Sequence, residues 1–201
     1  MLAVVLLTGA TVLTLGSADD HGITWDETIH MDYGDAVLDY FLSFGQDDRA
    51  SAHKDRAYIP GYDLLGAVAR RLSPLEAYQS MRALGVVVGL LGAVGAYRLA
   101  CLLGGSAAGC LALFMLLLTP AYEGQIYSNP KDLPFAVGYI WALYALARAA
   151  RRWSERRWSD HVLLALGLAA ALMTRIAGLL TLAYLLGLWL IYLLQQWRMR
   201  G

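Results

Sequence analysis

The stretch that decides the fold runs from residue 161 to residue 194 and reads HVLLALGLAAALMTRIAGLLTLAYLLGLWLIYLL. A straight helix of this length would measure about 51 Å, whereas the hydrocarbon core of a bilayer is about 30 Å thick. The stretch therefore predicts two membrane-spanning helices rather than one. Arg175 is its only charged side chain apart from the terminal His161. We expect the break at residues 174–178, as a tight hairpin between spans at 161–174 and 177–194.

Further apolar stretches precede this one, in a chain of 201 residues that is 58% hydrophobic. Residues 1–18 are apolar but have no preceding Lys or Arg, so they are either a signal peptide with a small-residue end or a first span. We favour the span because the topology of the later helices requires it. The composition predicts an all-α integral membrane protein with about six transmembrane helices, in which residues 1–201 form a single transmembrane domain. The remaining spans are predicted at about 78–103, ending at Gly104-Gly105, then at 106–121 and 133–147.

Acidic and basic residues are divided unevenly along the chain, although its net charge is zero. Residues 19–63 hold eleven acidic and three basic residues, and the rest of the chain holds thirteen basic and five acidic residues. Cytoplasmic loops of membrane proteins are enriched in Lys and Arg, so the arginine cluster at 148–157 is predicted to be cytoplasmic. Residues 19–76 then form a loop on the outer side, with Arg175 on the same side. The charge balance gives no indication of nucleic-acid binding.

The predicted outer loop contains two short amphipathic patterns. Residues 32–44 place apolar side chains at helical spacing, and residues 60–72 do the same. Helices of this kind often lie along the membrane interface instead of crossing it. Ser73-Pro74-Leu75-Glu76 follows, and its capping-box pattern predicts that the next helix starts there, with Ser73 as the cap.

Polar residues interrupt the apolar pattern between the spans at 106–121 and 133–147. The sequence there reads YSNPKDLPF over residues 127–135, with the only asparagine of the chain, Asn129, and one of its two lysines, Lys131. Charged groups at a membrane edge are costly to desolvate, so such a cluster is a functional-site candidate. Lys131 suits a phosphate, and Asp132 suits a metal ion or an acceptor group. The alternative is a helix entry, with Asp132 near the helix dipole and Lys131 reaching lipid headgroups.

A second candidate cluster follows the first span. If this segment is helical, Asp26 and His30 share one face and Glu27 lies beside them. A carboxylate beside a hydrophobic wall can act as a general base, and carboxylates with a histidine can also hold a divalent cation. The alternative is a solvated acidic loop. Arg175 offers a bidentate fork for a lipid phosphate, or else it extends to the outer interface.

Four stretches in this order resemble bacterial membrane glycosyltransferases of the GT-C class, specifically the protein O-mannosyltransferase-like family that uses polyprenyl-phosphate sugars. WDETIHMDYG at 25–34 resembles the acidic motif of that family after its first span. YIPGYDLL at 58–65 is similar to its interfacial helix, although the usual Tyr-Gly-Gly is replaced. NPKDLPFA at 129–136 is similar to a second loop of one bacterial branch, and TRIAGL at 174–179 to the Arg-x-x-Gly-Leu hairpin.

The resemblance implies a GT-C-like fold and transfer of a sugar to an acceptor hydroxyl, with polyprenyl phosphate as the leaving group. The acceptor would be a glycan, a lipid or a protein, at the outer face of the plasma membrane. Asp26 would be the catalytic carboxylate, either as base or as ligand of a divalent cation, Mg²⁺ or Mn²⁺. Glu27 would support Asp26, and Asp132 would lie across the same cavity as a further catalytic or metal-binding carboxylate.

The donor-binding residues are inferred from the chemistry of the side chains more than from the family. We predict that Asn129, Lys131, Arg175 and His30 bind the substrate. The chain resembles only the N-terminal half of these enzymes, so we expect a truncated form. Two alternatives are a non-catalytic membrane subunit or lipid-binding scaffold of the same fold, and a small transporter. A transporter is disfavoured because the polar residues are predicted on one side of the membrane and not at its midplane.

Overall fold

The computed structural model describes residues 1–151 and 157–200. The regular elements in these ranges are all helices, with no strand among them. Arg152 and Arg156 of the predicted cytoplasmic cluster lie outside the described residues. Short 3₁₀ turns at Ala18–Asp20 and Ile176–Gly178 supplement the helices. The helices are α1 (Leu2–Gly16), α2 (Trp25–Leu42), α3 (Arg49–Ala52), α4 (Gly61–Leu72), α5 (Ala77–Leu117), α6 (Pro120–Ser128), α7 (Asp132–Arg151), α8 (Trp158–Leu172) and α9 (Leu179–Arg200).

Helix α5 is not one straight rod, because it reverses at Gly105. This residue has φ 83° and ψ −178°, a conformation that glycine adopts without the steric cost that a Cβ would impose. The chain after Gly105 lies against the chain before it: a Cβ on Gly109 would lie 3.0 Å from the ring of Tyr97. In a straight helix these two positions would be about 18 Å apart. The break predicted at Gly104-Gly105 is therefore confirmed.

The packing continues this antiparallel arrangement along α6. The hydroxyl of Tyr122 donates to the carbonyl oxygen of Gly89 at 2.6 Å, and Ile126 belongs to the same buried cluster as Val86. Helix α7 then returns beside the first part of α5, and the indole of Trp141 donates to the carbonyl oxygen of Leu91 at 3.0 Å. The core of the molecule lies between these segments.

Small residues bring α7 and α8 close together. Ala142 on α7 and Ala171 on α8 have no exposed surface, and Gly167 on α8 lies against the backbone of Ala142. Close backbone approach through small side chains is typical of helices that pack within a membrane. A helix break lies where it was predicted, at 174–178, since α8 ends at Leu172 and α9 begins at Leu179.

Several helix ends meet on one side of this bundle. The hydroxyl of Tyr127, at the end of α6, donates to the carbonyl oxygen of Thr14 near the end of α1, at 2.7 Å. Arg82, near the start of α5, donates to the carbonyl oxygen of Ala18 at 2.8 Å. The amide of Gly61, at the start of α4, donates to the carbonyl oxygen of Met173 at 2.9 Å. The start of α4 and the segment between α8 and α9 are thus held at the same end as the polar junction before α7.

Three predicted helix boundaries were wrong. Helix α2 begins at Trp25 and not near residue 32, because Thr24 and Glu27 form a capping box at its start. Helix α5 begins at Ala77, because the hydroxyl of Ser73 accepts the amide of Leu75 at 3.1 Å and closes a turn instead of capping a helix.

The third error concerns the segment before the Asn-Pro-Lys-Asp sequence. The sequence predicts a span that ends near residue 121, but a separate helix, α6, begins there with Pro120 at its first position. Proline is favoured there because its missing N–H would have no helical partner. The predicted helix at 60–72 is confirmed as α4.

Length and composition identify two candidate membrane spans in the described part of the chain, α5 and α7. Shorter apolar helices cover Leu2–Gly16, Trp158–Leu172 and Ile176–Ile191. The elements of the described residues are all helical, which confirms the all-α class, and the count of six spans stays a prediction.

Candidate functional site

The first ion pair of the candidate site joins the start of α2 to the start of α7. The Nζ atom of Lys131 lies 3.3 Å from the Oδ2 atom of Asp26. The side chains of Lys131 and Asp26 are 19% and 30% exposed, so both remain within reach of a ligand. Lys131 also lies over the ring of Tyr58, 5.2 Å from its centroid, which favours a cation at this position. Two predicted site residues that are 105 positions apart are thus in contact.

The second ion pair joins the start of α7 to the hairpin between α8 and α9. The Nη2 atom of Arg175 lies 2.7 Å from the Oδ1 atom of Asp132. The two side chains are 38% and 49% exposed, and the Nε atom of Arg175 is buried without a hydrogen-bond partner. Arg175 has no acidic neighbour in its own apolar stretch, and the fold supplies one from another helix.

Asn129 connects the two pairs through the turn before α7. Its Oδ1 atom accepts the backbone N–H groups of Lys131 at 3.1 Å and of Asp132 at 2.7 Å. Its Nδ2 atom donates to the Oδ2 atom of Asp132 at 3.0 Å. Pro130 follows directly and disfavours the helical conformation for Asn129, which is extended and ends α6.

Glu27 lies next to Asp26 in the sequence, but its carboxylate has a different environment. The Oε2 atom of Glu27 accepts the backbone N–H of Thr24 at 2.6 Å and the hydroxyl of Thr24 at 3.0 Å. The residue is 6% exposed and lines a small cleft with Tyr62, Tyr127 and Asn129. Glu27 therefore stabilises the start of α2, the turn that carries Asp26, and its supporting role in catalysis stays a prediction.

His30 is buried one turn further along α2. Its Nδ1 atom lies 3.0 Å from the Oδ1 atom of Asp63 on α4, and the two side chains are 2% and 5% exposed. Gly34 allows this contact between the helices, because a Cβ there would collide with the backbone carbonyl of Asp63. Asp26 and His30 do share helix α2, as predicted, but they contact different partners. The substrate-binding role of His30 stays a prediction.

Tyrosines surround the His30–Asp63 pair. Burial first, and then the negative charge of Asp63, raise the pKa of Tyr62. Burial also raises the pKa of Tyr33, with further contributions from Asp63 and Asp55. The Tyr33 hydroxyl donates to the carbonyl oxygen of Tyr58 at 3.3 Å. Both phenols thus stay protonated at neutral pH and link α2 to the segment before α4.

The sequence did not identify Tyr58 or Asp63 as site residues. Both lie in the stretch at 58–65, which carried part of the resemblance, but they are far in sequence from Lys131 and His30. One feature of the sequence could have indicated these two residues: they lie near the start of a predicted amphipathic helix that follows an acidic segment. Their partners could be assigned only once the packing of α4 was known.

The carboxylates do not form a metal centre as they are arranged here. Among residues 1–151 and 157–200, no group of three or more His, Cys, Asp or Glu side chains lies close enough to hold an ion. Asp26 and Asp132, the predicted ligands, are each paired with a cation. The present side-chain arrangement therefore does not fit a metal ion, and the predicted Mg²⁺ or Mn²⁺ stays untested.

The candidate site holds two cations, Lys131 and Arg175, and two carboxylates, Asp26 and Asp132, at one end of the bundle. A ligand with a phosphate group can compete with the carboxylates for Lys131 and Arg175, because both cations bind phosphate. A carboxylate released in this way can accept a proton. The arrangement suits a reaction in which a phosphate leaves while a hydroxyl group loses its proton.

Comparison with known proteins identifies the family. The family model for dolichyl-phosphate-mannose-protein mannosyltransferase matches residues 74–200, which include Asn129, Lys131, Asp132 and Arg175. Asp26, Glu27 and His30 precede the matched segment. No curated protein and no solved structure matches the chain. The match covers well over half of the 201 residues, and the chain therefore belongs to the dolichyl-phosphate-mannose-protein mannosyltransferase family, a family of membrane-associated glycosyltransferases.

Proposed function

We propose that this protein transfers a sugar from a polyprenyl-phosphate carrier to an acceptor hydroxyl at the outer face of the plasma membrane. The observation that carries the proposal is the meeting of Asp26 with Lys131 and of Asp132 with Arg175 at one end of the bundle. The family supports sugar transfer, and the two cations support a donor with a phosphate group. The identity of the acceptor, as a glycan, lipid or protein, is part of the proposal.

The proposed reaction begins when the carrier phosphate binds Lys131 and Arg175. These side chains then turn from the carboxylates to the phosphate, and Asp26 is released as a general base. The acceptor oxygen attacks the anomeric carbon, and its proton goes to Asp26. The bond between that carbon and the phosphate oxygen breaks, and its electron pair leaves with the polyprenyl phosphate. Lys131 and Arg175 stabilise the negative charge that develops there.

The proposed topology has six spans and an outer catalytic end. Four observations support it: the reversal at Gly105, the hairpin after α8, the antiparallel packing of α7 and α8, and the helix ends that meet beside Asn129. Arg148 and Arg151 lie at the opposite end of α7, in agreement with a cytoplasmic location for that end.

The test is a transfer assay in membranes with a panel of polyprenyl-phosphate sugars. We expect Asp26→Asn to reduce transfer by at least about hundredfold, because a general base contributes roughly 10²–10⁴-fold to a rate. Asp32→Asn is the matched control, since Asp32 is an exposed acid on the same helix, and it should leave transfer unchanged. If Asp26→Asn retains full activity, Asp26 is not the base.

A second outcome of that assay would replace the proposed function. If the intact chain inserts into membranes and transfers none of the sugars, the fold serves as a non-catalytic subunit or lipid-binding scaffold. A scaffold would still bind polyprenyl phosphate through Lys131 and Arg175, so a binding measurement separates it from an inactive preparation.

A further inference from the structure

All four hydrogen-bonding positions of the Asn129 side chain are occupied within the protein. A carboxamide offers two acceptor positions on its oxygen and two N–H donors on its nitrogen. The oxygen accepts the backbone N–H groups of Lys131 and Asp132. The nitrogen donates to the Oδ2 atom of Asp132 and to the Oε1 atom of Gln125. No position is left for a sugar or a phosphate unless one of these bonds breaks.

Asn129 also terminates one helix while it begins the next. Its backbone N–H donates to the carbonyl oxygen of Gln125 at 3.2 Å and closes the last turn of α6. Its side chain then caps the first free N–H groups of the turn that leads into α7. A short polar side chain with an extended backbone, here with φ −120° and ψ 91°, is the usual arrangement for such a cap.

These bonds fix the two residues that carry the opposite charges of the site. The Asn129 side chain accepts the backbone N–H groups of Lys131 and Asp132. The side chain of Lys131 pairs with Asp26, and that of Asp132 pairs with Arg175. Asn129 donates from Nδ2 to the Oδ2 atom of Asp132, while the Oδ1 atom of Asp132 pairs with Arg175. One amide group therefore restrains a residue of each ion pair.

We infer that Asn129 is a positioning residue, which holds Lys131 and Asp132 in the geometry for sugar transfer, and that it is not a ligand of the donor. Gln125 supports it by accepting its second N–H. This inference rests on the proposed function for its effect on catalysis, although its effect on Lys131 is independent of any activity. It revises the substrate-binding role that the sequence predicted for Asn129.

The test compares Asn129→Ala with Asn129→Ser in the full chain in membranes. The hydroxyl of serine can still accept a backbone N–H at a helix start, but serine has no amide donors. Alanine can neither accept nor donate a hydrogen bond through its side chain. The first readout is kcat and donor KM with a polyprenyl-phosphate-linked mannose. The second is the rate at which an amine-reactive ester acylates Lys131, relative to Lys54, followed by mass spectrometry. Lys54 is exposed and is the only other lysine, so it serves as an internal reference.

We expect Asn129→Ala to lower kcat by about ten- to hundredfold, because small displacements of catalytic groups have effects of this size, with little change in donor KM. The ratio of Lys131 to Lys54 acylation should rise severalfold, since Lys131 is no longer held beside Asp26. Asn129→Ser should restore most of both values. A residue that only stabilised the fold would lower the unfolding temperature without changing the acylation ratio.

The inference is overturned if Ala and Ser are equally impaired, the acylation ratio is unchanged, and the loss appears in the donor KM. That pattern would mean that the amide touches the donor. If the wild-type chain transfers no sugar, the proposed function fails, and the acylation ratio still decides whether Asn129 positions Lys131.

Discussion

Helix α7 has ion pairs at both ends, and the two ends are built differently. At its last turn, the Nε atom of Arg148 lies 2.7 Å from the Oδ1 atom of Asp160 on the adjacent helix α8. The Asp160 side chain is 4% exposed. At its start, Lys131 and Asp132 pair with residues from α2 and from the hairpin before α9, and the carboxylates are 30% and 49% exposed.

The difference separates a structural ion pair from a candidate site. The Arg148–Asp160 pair joins two consecutive helices, and its carboxylate cannot be reached by a ligand. The pairs at the other end join segments that are distant in sequence, and their carboxylates are accessible. Exposed pairs contribute little to stability, about 1 kcal/mol or less, so stability alone does not explain why two of them are assembled there. The proposed binding of a carrier phosphate would account for both their exposure and their grouping.

The largest effect is expected from removal of Arg175, the cation between α8 and α9 that pairs with Asp132 at the start of α7. Arg175→Ala should lower kcat/KM for sugar transfer by about hundred- to thousandfold, because a preorganised charge that stabilises a leaving group has an effect of this size. The free energy of unfolding should change by less than about 1 kcal/mol, since the pair is partly exposed. A transfer assay and denaturant unfolding in detergent measure the two quantities.

The control for that variant is Arg71→Ala. Arg71 also forms a partly exposed ion pair, with Asp39, but this pair joins the last turns of α4 and α2, whereas Asp26 lies in the first turn of α2. We expect transfer to be unchanged. Equal losses of activity in the two variants would contradict the distinction between site pairs and surface pairs.

The second-largest effect is expected at the other end of α7. There, a substitution should change the stability of the fold and not the rate of sugar transfer. Arg148→Ala removes the cation beside a buried carboxylate, and breaking a buried pair costs about 3 kcal/mol or more. Thermal unfolding should therefore shift to lower temperature, while the folded fraction keeps its transfer rate per molecule. Loss of transfer without a change in unfolding temperature would make this end part of the site.

The smallest effect concerns the surface pairs and appears as a pH dependence. A hydrogen bond from Arg71, and a further one from Arg49, hold the pKa of Asp39 below its usual range. The folded chain thus favours the ionised carboxylate. Its contribution to the free energy of unfolding is fully present above the pKa of the unfolded chain, and this contribution is lost as the pH falls through the lower pKa of the folded chain. The free energy of unfolding, measured between pH 5 and about pH 3, should therefore depend less on pH in Asp39→Asn than in the wild-type chain.

Much of the helical layout was predictable because it depends on length and local chemistry. A 34-residue apolar stretch cannot cross a bilayer as one straight helix, which predicted the break at 174–178. Gly104-Gly105 predicted the reversal of α5, and it occurs at Gly105. The start of α2 was missed because the Thr24–Glu27 capping box was read only as part of an acidic cluster.

The partners of the charged residues were less predictable. Lys131, Asp132, Asp26 and Arg175 were each identified from their residue types in unusual surroundings. Their pairing depends on how α2, α7 and the hairpin pack, and no local pattern contains that information. The same limit applies to Asp63, whose contact with His30 requires the close crossing of α2 and α4 at Gly34.

In the proposed reaction, a carrier phosphate takes Lys131 away from Asp26. The most direct measurement is acylation of Lys131 and Lys54 by an amine-reactive ester, in membranes, with and without a short polyprenyl phosphate. We predict that the phosphate slows acylation of Lys131 severalfold and leaves Lys54 unchanged, and that Arg175→Ala weakens this protection. If Lys131 is acylated at the same rate at saturating polyprenyl phosphate, the phosphate does not bind at this site and the claim is wrong.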